Sequence, residues 1–66
     1  MTIESDLTRS MAEEAKAASN YRARARVAMK LGHVAVAHRY EHIAHEEDVH
    51  RAEFGDMRSK VRAGRA

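Results

Sequence analysis

A chain of 66 residues with formal charge +2 and pI near 9.4 makes one small domain at most, and so short a chain buries little surface when it folds alone. Thirteen residues are Ala, leaving 16 larger hydrophobic side chains, so a self-sufficient monomeric core is not expected. The absence of Cys excludes disulfides and thiolate metal sites, and no run approaches the roughly 20 apolar residues that cross a bilayer, which leaves a metal or oligomerisation as the stabilising device.

The first predicted helix covers about 4–31. Thr2, Ser5 and Ser10 compete as its N-cap, and Glu4, Asp6 and Glu13 near its start suit the helix dipole. Leu7, Met11, Glu14, Ala18, Tyr21, Ala25 and Ala28, alternately four and three apart, form an apolar stripe interrupted by one carboxylate. Arg22, Arg24, Arg26 and Lys30 follow. A solvated, dipole-matched helix end accounts for them, and without aromatic interleaving for base stacking no nucleic-acid partner is expected. Gly32 then offers a left-handed cap and the turn of an αα-hairpin.

The second predicted helix covers about 33–60, ahead of a basic tail at 61–66. Val36, Tyr40, Ile43, Glu47, His50, Phe54, Met57 and Val61 are again four and three apart. Here Glu47 and His50, a Glu-x-x-His step, interrupt the stripe. Gly55 marks a kink or a soft point. His38, His42 and His45 form a separate stripe, read as solvated or interface residues with a second metal site as the alternative. The fold class is therefore all-α: a single-domain two-helix antiparallel hairpin over 1–66.

Glu14 lies 18 residues before Gly32, and Glu47 and His50 lie 15 and 18 after it. At about 1.5 Å per residue an antiparallel hairpin brings all three to nearly the same height, roughly 22–27 Å from the turn. Charges in an apolar seam are costly unless paired or bound to metal, and Glu-x-x-His spacing is used by carboxylate-bridged di-metal sites in helical bundles. One chain supplies too few ligands for a metal pair. A twofold dimer supplies four carboxylates and two imidazoles, which balance two divalent cations. Such donors suit iron, with manganese and zinc as alternatives. A coiled-coil dimer with a polar Glu–His pair fixing its register is the plain alternative.

At Glu14, Tyr21, Gly32, Glu47 and His50 the chain resembles the first half of a rubrerythrin, in the ferritin-like superfamily, and it is also similar to the encapsulated ferritins. The resemblance spans about Glu14 to Phe54. It implies that two hairpins dimerise into a ferritin-like four-helix bundle, with a non-haem di-iron (Fe2+/Fe3+) site ligated by Glu14, Glu47 and His50. It also implies that Tyr21 hydrogen-bonds a ligand carboxylate. Ala17 stands where the family's Glu-x-x-Glu would place its second Glu, and there is no four-Cys rubredoxin domain to deliver electrons. Fe(II) oxidation by O2 or H2O2 is thus expected over a dedicated peroxidase, with an external electron donor for any peroxide turnover. The expected location is cytoplasmic, or inside an encapsulating protein shell, with higher oligomers open. The competing expectation is a metal-stabilised helical dimerisation module without catalysis.

Overall fold

The computed structural model describes residues 2–64 as two long helices, α1 (Ile3–Lys30) and α2 (Val34–Gly64), packed antiparallel along their lengths. Thr2 caps α1. Its hydroxyl accepts from the Ser5 backbone N–H at 3.0 Å, while Ser5 Oγ accepts from the Thr2 backbone N–H at 3.1 Å. This reciprocal box satisfies two of the donors that a helix start leaves open.

The turn is a Schellman closure. The Gly32 N–H donates to Met29 O at 3.0 Å and the His33 N–H to Ala28 O at 2.9 Å, with Gly32 at φ +81°. A side chain in that left-handed conformation costs about 1–2 kcal/mol, which is why Gly occupies it. His33 then acts as the entry cap of α2, its carbonyl accepting from Ala37 N–H at 2.9 Å. Near the far end α2 runs through Val61 and Arg62 to Gly64, beyond the expected end at Lys60, and Arg62 pairs with Glu4 across the helices. The rest of the expected basic tail, Arg65 and Ala66, lies outside the described residues.

The line of closest approach is built from small side chains. Leu7, Ala18, Ala25 and Ala28 of α1 and Ala37 and Ala44 of α2 are the buried residues. Helix separation is set by the side chains at the contact, so this alanine seam draws the two backbones together. Gly55 belongs to the same line: a Cβ there would meet Met11 Cε at 3.3 Å. It is a packing position in a continuous helix, so of the two expectations, a kink or a soft point, the kink is absent among the described residues.

The stripe expected on α1 coincides with its inner face. On α2 the structure rotates the inner face by one residue. Ala37 and Ala44 are fully buried, whereas Val36 and Met57 of the expected stripe are each 48% exposed. The reason is steric: the larger residues at 36, 40, 43, 54, 57 and 61 would force the helices apart, so they lie on one flank of the seam. That flank is apolar. The opposite flank carries charges, among them the Arg22–Asp48 pair that links the helices. No helix among the described residues is long and apolar enough to cross a membrane.

Candidate metal centre

Glu14, Glu47 and His50 converge: one potential ligand atom from each lies within 4.8 Å of the other two. α1 supplies Glu14 from its inner face, four residues before the buried Ala18. α2 supplies Glu47 and His50 one turn apart on its apolar flank. Among the described residues this is the one group of three or more metal-ligand side chains brought so close.

Two ligands on one ion at about 2.1 Å can be no more than about 4.2 Å apart. In a tetrahedral shell the donors would stand about 3.4 Å apart, so drawing the three onto a shared cation requires side-chain adjustments on the order of 1 Å. Oε2 of Glu14 is shielded from solvent and has no hydrogen-bond partner, although the Glu14 side chain as a whole retains 23% exposure. The nearest cationic candidate is His50 Nδ1 at 3.7 Å, too far for a hydrogen bond. A sheltered carboxylate oxygen left in this state is costly, and a cation between Glu14 and His50 would satisfy it. The donors are hard oxygen and borderline nitrogen, a set that accommodates Fe(II), Mn(II) and Zn(II).

The site is not interior in the single hairpin. Among the described residues no polar or charged side chain is fully buried, and His50 keeps 49% of its side-chain exposure. The sequence pattern had placed all three groups in a closed seam; with the seam filled by alanines, they stand on its apolar border.

Tyr21 lies on the same border, farther toward the turn. Its ring meets Tyr40 of α2 with centroids 6.1 Å apart and planes inclined at 30°, and the Arg24 guanidinium sits 5.4 Å from the Tyr21 ring centroid. Beyond Tyr40 the border opens into a groove of about 420 Å³ whose lining includes Val27, Leu31, Val36 and His33. Metal triad, tyrosine pair and apolar groove thus follow one another along a single flank. The partnership of Tyr21 with Tyr40 rather than with a carboxylate was not legible from spacing, because it depends on how the α2 face is rotated.

The other flank holds a carboxyl with a perturbed acidity, Asp48. The hydrogen bond from the Arg22 guanidinium to Asp48 holds that carboxyl below its ordinary range, helped by the positive charges of Arg22, Arg51 and His45 and opposed by partial desolvation. Arg22 and Asp48 act as a cross-helix clamp, with Asp48 next to Glu47 in the chain but not among the triad's donors. No family model, curated protein or solved structure matches the chain. The rubrerythrin resemblance accordingly rests on the spacing of Glu14, Tyr21, Gly32, Glu47 and His50.

Proposed function

We propose that two copies of this chain complete a di-iron site and that the protein oxidises Fe(II) with O2 or H2O2, as a ferroxidase in iron handling or peroxide detoxification. The observation that carries this reading is the convergence of Glu14, Glu47 and His50 around an unpartnered carboxylate oxygen. Bound iron supplies the one-electron redox chemistry that no side chain here can provide.

The chain's own residues account for binding and charge. Glu14 and Glu47 neutralise one divalent cation per chain, and neutral His50 adds a nitrogen ligand without altering that balance. A second copy doubles the set to four carboxylates and two imidazoles, enough for a metal pair. The apolar flank favours such a partner: Val36 and Met57 are each 48% exposed in the hairpin, Tyr40, Ile43, Phe54 and Val61 are partly exposed, and all of them border the triad along α2. Covering them removes water from the metal ligands and hydrocarbon from water in one step. Tyr21 and Tyr40 close the turn-ward side of the site in this four-helix arrangement.

The same exposed flank also favours a second reading, a helical dimerisation module in which metal only stabilises the pairing. Anaerobic Fe(II) titration followed by native mass spectrometry, then optical absorbance after admission of air, separates the two. Di-iron oxidation requires two irons per dimer and a rapid ferric band, lost in Glu14→Ala, Glu47→Ala and His50→Ala, each by at least tenfold in rate. No uptake, or one loosely held iron per hairpin with no oxidation, leaves the dimerisation module.

A further inference from the structure

We propose that His38 and His42 form a second metal site, a two-imidazole chelate for a late first-row divalent cation on the flank opposite the Glu14–Glu47–His50 triad. The two histidines are four residues apart in the middle of α2, so their rings project from one face a single turn apart. This is the helical spacing with which two imidazoles hold one zinc ion. Both residues are exposed, and neither is needed for the alanine seam.

A second observation places a carboxylate beside one ring. His42 Nε2 lies 2.8 Å from Glu46 Oε1. A carboxylate that accepts from one imidazole nitrogen sets the tautomer and leaves the other nitrogen's lone pair outward. Metal-ligating histidines are regularly held in this way. Glu46 therefore acts as the positioning residue, His42 Nδ1 and a His38 nitrogen as the two ligands, and water completes the coordination shell. Glu46 is eight residues from His38, about 12 Å along the axis, and so cannot share an ion with it directly.

The two metal sites are independent. At about 100° per residue, His42 and Glu47 fall on opposite sides of the Ala37–Ala44 line, and the triad includes no residue of the histidine stripe. Two imidazoles without a carboxylate ligand favour the later metals, with Cu2+ bound more tightly than Zn2+ and both more tightly than Fe2+. This preference contrasts with that of the carboxylate-rich triad. The proposal does not rest on the di-iron reading.

Zinc chloride titrated into the wild-type protein at pH 7.5, followed by the side-chain nitrogen resonances of the histidines, tests the site. His38 and His42 are expected to shift in concert and saturate together. His38→Ala should weaken the zinc response at His42 at least tenfold, and Glu46→Gln about tenfold. A zinc response confined to His50 would overturn the proposal, as would a response at His42 that is unchanged by His38→Ala. All three positions are exposed, and the wild-type titration by itself already separates a joint His38–His42 response from one confined to His50.

Discussion

The two flanks of this hairpin differ in what they leave unfinished. On one, charges find partners within the chain: Arg22 meets Asp48, and Arg51 approaches the same carboxylate at 3.6 Å. On the other, apolar side chains stand exposed beside a triad whose sheltered Glu14 oxygen has no hydrogen-bond partner, with His50 Nδ1 3.7 Å away. The charged flank finds its ion pairs within the chain, whereas the apolar flank leaves side chains uncovered and the Glu14 oxygen without a hydrogen bond. The alanine seam accounts for the contrast, because filling most of the line of closest approach with the smallest side chains displaces the large residues of α2 to a border.

Substitution on each flank probes this asymmetry most strongly through assembly. Ile43→Asp places a charge among the apolar residues that border the triad, whereas Arg26→Ala removes one from the charged side. Burying an Ile side chain is worth about 1.5–3 kcal/mol, and a symmetric interface loses it twice. Sedimentation should show self-association of Ile43→Asp weakened by more than about tenfold, equivalent to 1.4 kcal/mol, with Arg26→Ala near wild type. Equal effects from the two substitutions would abolish the distinction between the flanks.

The seam can be tested next. Ala44 is fully buried, so Ala44→Leu inserts a branched side chain where the backbones approach. Overpacking of this kind costs about 1–3 kcal/mol, and thermal unfolding by circular dichroism should register it as a lowered Tm. The neighbouring Ile43→Leu, on the half-exposed border, should shift Tm by much less. If Ala44→Leu melts like wild type, the helices are not in close contact there and the displacement of large residues needs another cause.

The hairpin was legible in the sequence because its signals are local. Gly32 marks the turn, Thr2 was among the rival caps, and the four-and-three spacing of α1 reports the buried Leu7, Ala18, Ala25 and Ala28. Convergence of Glu14, Glu47 and His50 was also legible, since it follows from equal distances to the turn. The inner face of α2 was misread. Reading the stripe by size selected Val36, Tyr40 and Ile43, while the structure buries Ala37 and Ala44. Alanine scores weakly as a core residue in a sequence pattern, yet it wins the contact line when two long helices must approach closely. The same error hid the packing role of Gly55 against Met11 and the Tyr21–Tyr40 pairing, because both depend on that one-residue rotation.

The smallest expected effect lies on the charged flank and concerns pH. Asp48 is more acidic in the folded hairpin than in the unfolded chain, chiefly because it accepts the Arg22 hydrogen bond. Its stabilising contribution is therefore fully present above the unfolded carboxyl value of 3.8 and is lost as pH falls through the lower folded value. Asp48→Asn should melt slightly below wild type at neutral pH, and the difference should vanish in acid below that window. Because exposed pairs are screened by salt, the neutral-pH difference should also shrink at about 1 M NaCl. A difference that persisted through the acid range and in high salt would mean that Asp48 acts through packing rather than charge, and the charged flank would then be held together by the same means as the seam.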